Sequence, residues 1–314
     1  MYHPYFRGKQ YELITIREMA SFLQEADFCP IIEPVKETLN GLSRTLKAVA
    51  EVEGRAIVIV NPHHGDLSES GESLTELLQE EFLNLPGISA GILLKPNMSA
   101  TEALECFENH SDHSPCFIHA GFTDAKTLSG SLGPSMKDQC HIFVDRFCGK
   151  LYQKHFKQAT RILLRDGFQK KRNRDYEQLE FFSDLHATFE EEGMNGFGDF
   201  LIVGDDYSET GGPAYAVAIH LTFIDSDQDD AMQIYHFVSD RQDSPQDPAG
   251  KFAEALDKMI SILNKRNSKV EETSAVQEFR ELHHQGHFPG LGYIKKLSMN
   301  HHIETLARYF EQAT

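Results

Sequence analysis

Cysteine is scarce in this chain of 314 residues, and the few present form no pattern. Cys29, Cys106, Cys116, Cys140 and Cys148 are odd in number and include no C-x-x-C pair. This argues against a disulfide framework and predicts reduced thiols in a cytoplasmic setting. Long apolar runs are also missing. No stretch approaches the roughly 18 residues of a membrane span, and the opening residues lack an apolar signal-peptide core. The sequence therefore predicts a soluble, cytoplasmic protein with no membrane partner. Positive charge is in short supply: 30 Lys and Arg face 48 Asp and Glu, for a formal net charge of -18. A surface of that sign repels phosphate backbones at long range, which argues against general nucleic-acid binding and leaves room for a local basic patch. There is no G-x-S-x-G elbow, no H-E-x-x-H and no strand-linked G-x-G-x-x-G.

What is present is a chain of ordinary globular composition, 40% hydrophobic and 25% charged. Short apolar runs that stop in a polar residue alternate with segments of helical period. They cover 5–9, 29–33, 56–61, 91–95, 116–119, 141–145, 161–166 and 200–205. The run at 56–61 is almost wholly β-branched, as suits a strand covered by helices on a parallel sheet. Helical periodicity predicts helices near 12–25, 73–83 and 175–192, and Ser99 with Glu102 has capping-box spacing. Eight strands are the number that closes a parallel barrel. The expected fold is α/β, a TIM-like (β/α)8 barrel over 1–212. Residues 213–314 are expected to form an extension packed on it, with a β-hairpin (214–224 and 232–238) and C-terminal helices. An open, doubly wound sheet is the competing architecture.

Ligands of parallel barrels sit at the carboxyl ends of the strands. Those ends read Arg7 and Lys9, Glu33, Asn61, Lys95, His119, Asp145, Arg165 with Asp166, and Asp205. Strands stop where apolar residues run out, so part of this tally is bias. Three runs nevertheless end in the same form, Glu33-Pro34, Asn61-Pro62 and Lys95-Pro96. Around one rim, Glu33, His119, Asp145 and Asp166 would supply acid/base groups, the first three also as ligands of a divalent metal. The cofactor is left open, with Mg²⁺ or Mn²⁺ as the ions such a set suits. Arg7, Lys9, Asn61, Lys95, Arg165 and Asp205 would bind the ligand. The run Lys170-Lys171-Arg172-Asn173-Arg174 is the densest positive segment, at a loop position where barrels often bind phosphate, so Lys171 and Arg172 join the ligand set. A solvated basic helix start explains the same run. The pairs His63-His64, His283-His284 and His301-His302 lack zinc-site spacing. Gly196-Phe197-Gly198 reads as a tight turn at the bottom of the barrel.

The opening Tyr5-Phe6-Arg7-Gly8-Lys9-Gln10-Tyr11-Glu12-Leu13, together with Ile31-Ile32-Glu33-Pro34, Val60-Asn61-Pro62, Gly198-Asp199-Phe200 and His301-His302, resembles the phage-associated "beta protein" family. That resemblance runs along most of the chain and implies a role in phage–host conflict, with no catalytic set to transfer. A weaker similarity is to barrel phosphodiesterases of the glycerophosphodiester type. Arg7-Gly8 and Glu33 match, but Phe6 stands in place of a histidine and Val35 in place of a second acid. The functional expectation is a defence-associated barrel that binds or acts on a small phosphorylated or nucleotide-like anion at the carboxyl ends of the strands. The alternatives are a non-catalytic sensor or partner subunit of a defence-operon complex, and a metal-dependent phosphodiesterase.

Overall fold

A computed structural model describes residues 1–209, 212 and 214–313. Seven strands pair in chain order, all parallel: β1 (Tyr5–Phe6), β2 (Ile31–Ile32), β3 (Ala56–Ile59), β4 (Ile88–Leu94), β5 (Cys116–His119), β6 (Cys140–Val144) and β7 (Thr160–Leu164). The next strand in sequence, β8 (Leu179–Ser183), belongs to a different sheet, and β9 (Gly196–Gly198) takes the eighth place beside β7. The N-terminal segment closes the circle. His3 N–H donates to the Phe197 carbonyl at 2.8 Å, Tyr5 N–H to that of Asp199 at 2.9 Å, and Phe197 N–H to that of Met1 at 3.1 Å.

Alternation along each strand sorts the side chains. Tyr5, Ile31, Ile57, Ile59, Leu93, Ile118, Ile142, Val144, Ile162 and Leu164 fill the barrel interior with Phe200. Residues of the other parity, such as Val58, Phe117 and Phe143, are buried outward under the helical layer. That layer includes α1 (Gln10–Glu18), α2 (Ala20–Glu25), α3 (Asn40–Glu51), α4 (Glu72–Glu81), α5 (Ala100–Glu108), α6 (Ala125–Leu132) and α7 (Lys150–Gln153). The Ser99 capping box forms as the spacing predicts, with Ser99 N–H donating to Glu102 at 2.7 Å and Glu102 N–H to Ser99 Oγ at 3.2 Å. The fold is therefore the TIM-like barrel, not the open sheet.

Two elements differ from expectation. The helix expected over 175–192 is replaced by strand β8 and the short helix α8 (Leu185–Thr188). Aromatic Phe181 and Phe182 suit a pleated surface, and β8 gains ladder bonds that a helix there would forgo. The eighth barrel strand is β9, not 200–205, where Leu201 has a positive φ of 50°. Its glycines serve close approach rather than a turn. A Cβ on Gly198 would lie 2.1 Å from the His3 carbonyl, and one on Gly196 would lie 2.7 Å from that of Met1.

The chain divides into two compact units, Met1–Asp166 with Thr188–Phe200, and Gly167–Ala187 with Leu201–Thr314. The first is the barrel. In the second, β10 (Ala218–Asp225) and β11 (Ala231–Val238) form the expected hairpin, and β8 pairs antiparallel with β11 in the order β10-β11-β8. Ile219, Leu221, Phe223 and Phe237 pack one face against α9 (Pro248–Leu263), α10 (Ser274–Gln285) and α11 (Leu291–Ala313). His301 and His302 pin α11 to β10. His302 Nδ1 lies 3.0 Å from Thr222 Oγ1, and His301 Nε2 lies 2.7 Å from the Thr222 carbonyl. Among the described residues no helix is long and apolar enough to cross a membrane.

Candidate functional site

In the barrel unit, residues 5, 7, 31 and 33 share the inward parity of their strands, so Tyr5, Arg7 and Glu33 meet at the carboxyl ends. Glu33 is fully buried. Its carboxylate accepts from Tyr5 Oη at 3.0 Å, from the Arg7 guanidinium, and from the backbone N–H groups of His63 (2.8 Å) and His64 (3.1 Å). His64 Nδ1 adds a contact at 3.1 Å. Burial alone would raise its pKa, but His64, Arg7 and the His63 N–H outweigh it and hold Glu33 down at about 2. The loop that delivers both N–H groups turns at Gly65, whose φ is +78° and whose Cβ would lie 2.1 Å from the Val35 carbonyl. Arg7 is buried and lies over the Tyr5 ring at 4.9 Å.

The neighbouring strand ends are occupied by structure. Asn61 donates to the Leu93 carbonyl (2.9 Å) and accepts from the Leu93 N–H (2.7 Å), continuing the β3–β4 ladder. Lys95 Nζ donates to the Pro62 carbonyl at 2.7 Å, and burial lowers its pKa against the opposing pull of Glu33. Lys9 is the N-cap of α1. The rim on β1 to β4 thus gathers Arg7, Glu33, His63, His64 and Lys95 around a carboxylate whose oxygens are already engaged.

The metal trio expected from sequence does not assemble. His119 has outward parity and sits in the helical layer, stacked on Phe143 at 4.6 Å. Its Nδ1 is 2.6 Å from Tyr152 Oη and its Nε2 is 2.9 Å from His141 Nδ1. Burial keeps its pKa well below that of an ordinary imidazole. Asp145 accepts from Arg165 Nε at 2.6 Å, and Arg165 also holds Glu192 at 3.0 Å. Glu33 is saturated, His119 faces outward and Asp145 is paired, so the three share no centre. Among the described residues no group of three or more His, Cys, Asp or Glu side chains is arranged to hold a metal ion. Asp166 is exposed two residues past the end of β7. Asp205 lies in the second unit, because 200–205 is not a barrel strand.

The second unit holds a cavity of about 760 Å³. Lys170, Lys171, Arg172 and Arg174 enter its wall from the loop before β8, and Lys295 enters from α11. Among the described residues, none of its lining side chains is acidic. Hydrogen bonds within the loop and to neighbouring segments fix its course. Asn173 Nδ2 donates to the Ala216 carbonyl at 2.7 Å, Lys170 Nζ to that of Asp206 at 2.9 Å, and Lys171 N–H to Tyr176 Oη at 3.1 Å. Lys171 Nζ pairs with Glu180 at 2.8 Å. Phe168, Tyr176, Ile294 and Val217 provide apolar and aromatic wall. His220 also lines the cavity, with its Nδ1 2.7 Å from Nδ1 of His236, its register partner on β11. Tyr176 stacks on His236 at 4.3 Å. The basic run was visible in the sequence. Lys295 and the two histidines were missed, since only the sheet register and α11 bring them to that loop. No family model and no curated protein matches this chain.

Proposed function

We propose that this protein binds a small phosphorylated, nucleotide-like anion, and that the ligand occupies the cationic cavity of the second unit. One observation carries the reading: a chain of net charge -18 places five cationic side chains and no acidic one on the described walls of its 760 Å³ cavity. The volume lies within the usual range for ligand pockets. The combination of Lys and Arg with aromatic and aliphatic wall suits an anionic group carried on a flat apolar one. Rim residues Arg7 and Lys95 share their site with the buried Glu33 carboxylate, whereas no acidic side chain lines the described walls of the cavity. The resemblance to the beta-protein family supports a setting in phage–host conflict for this binding.

Titration calorimetry with pyrophosphate and with AMP tests the reading. Hydrogen bonds to charged groups contribute about 1.5–3 kcal/mol each. Replacing Lys170, Arg172 and Arg174 together by Ala should therefore weaken binding by at least about tenfold. Equal affinity in wild type and triple variant would refute it. A second reading, a partner subunit, is favoured by Leu179 and Phe181, both more than 40% exposed on edge strand β8. For that reading, Phe181→Glu should abolish a stoichiometric complex with the partner.

A further inference from the structure

Behind the cavity wall stand three titratable side chains in series. His220 is half-buried and lines the cavity, and its Nδ1 is taken up by His236 at 2.7 Å, which leaves Nε2 for the ligand side. His236 is buried, and its own Nε2 has no hydrogen-bond partner. The nearest carboxylate oxygen is Glu180 Oε2 at 4.0 Å. We propose that the cavity hydrolyses phosphate esters, with His220 as the catalytic base and His236 and Glu180 as positioning residues that carry the proton's charge away from it. This rests on the anion-binding reading of the same cavity.

The arrangement answers a specific difficulty. A base among Lys170, Arg172, Arg174 and Lys295 resists protonation, and His220 is held well below the ordinary imidazole range by burial, by His236 and by Lys295. A hydrogen-bonded neighbour removes that obstacle. In the base-ready tautomer, His220 Nδ1–H donates to His236 Nδ1, and His236 carries its proton on Nε2, facing Glu180. A water attacks phosphorus and loses a proton to His220 Nε2 as the new P–O bond forms. The Nδ1 proton of His220 passes to His236, so the positive charge comes to rest on His236 beside the Glu180 carboxylate. The ester P–O bond breaks on the opposite side of phosphorus with its electron pair on the leaving oxygen, which takes its proton from solvent; the shift then reverses and His220 Nε2–H gives its proton to solvent. One water is consumed and the relay is restored. Burial lowers His236 to about 4 while Glu180 pulls the other way, and Lys171 and Tyr176 on the loop and Lys258 on α9 complete its polar surroundings.

The test is hydrolysis of p-nitrophenyl phosphate by the full chain, with pyrophosphate affinity measured alongside. General base catalysis contributes about 10²–10⁴-fold, so His220→Gln should lower kcat by about 10²-fold or more while pyrophosphate affinity changes little. Glu180→Gln should lower kcat by about tenfold and move the acid limb of the pH–rate profile to lower pH, because the His236 imidazolium loses its counter-charge. A purely structural Glu180 would leave that limb in place. Pyrophosphate binding without hydrolysis above background would overturn the relay and leave the anion cavity standing. Hydrolysis undiminished in His220→Gln would also overturn the relay. Absence of pyrophosphate binding would remove the cavity reading itself.

Discussion

Replacing Glu33 by Gln removes one oxygen and one charge from a group that every neighbour treats as an acceptor. Tyr5 Oη, the Arg7 guanidinium and the N–H groups of His63 and His64 all donate to it. A Gln amide nitrogen cannot accept from any of them, and Arg7, only 6% exposed, is left as a buried cation without its counter-charge. Breaking a buried pair from one side costs about 3–5 kcal/mol. Acid titration gives an independent magnitude. The folded pKa of Glu33 is lowered from 4.5 to about 2, which corresponds to about 3 kcal/mol of stability. Because the pKa is depressed by folding, that stability is fully present above pH 4.5 and is lost as the pH falls from there toward about 2. Urea unfolding followed by far-ultraviolet circular dichroism should show a midpoint lower by about 1–2 M in Glu33→Gln at neutral pH. Between pH 5 and 3 the wild type should lose stability more steeply than the variant. A midpoint within about 0.3 M of wild type would refute the view that Glu33 is the electrostatic pin of the barrel mouth.

Two further expectations concern the barrel. Gly198→Ala would set a methyl group 2.1 Å from the His3 carbonyl, so β9 must separate from the N-terminal segment; a loss of about 1–3 kcal/mol in urea unfolding is expected, and a neutral change would contradict the closure described. His119→Phe keeps the ring stack on Phe143 but strands the Tyr152 hydroxyl and His141 Nδ1. It should cost about 1–3 kcal/mol of stability and leave pyrophosphate affinity unchanged, whereas a loss of binding in the folded variant would restore His119 to the ligand site.

The barrel was legible because burial on both faces writes itself as short unbroken apolar runs, as at Ala56–Ile59 and again at 162–164. Its last strand was not. Gly196–Gly198 carries almost no side-chain signal, and what selects it is room for the backbone of Met1 and His3, a contact nearly 200 residues away in sequence. That single misplacement carried Asp205 onto a rim to which it does not belong. Strand ends also mislead by parity: His119 follows the inward Ile118 and so points outward, while Glu33 follows the outward Ile32 and points in. The basic run 170–174 was conspicuous against the acidic background. Its partners His220, His236 and Lys295 are separated from it by 46 to 125 positions and meet it only through pairing and helix packing.

Diffraction from crystals grown with tungstate, a phosphate-like anion with strong anomalous scattering, tests the central claim most directly. A cationic cavity in the second unit requires an anomalous peak within hydrogen-bonding reach of Lys170, Arg172 or Lys295. A peak beside Arg7 and Lys95 at the barrel mouth, with the cavity empty, would contradict it.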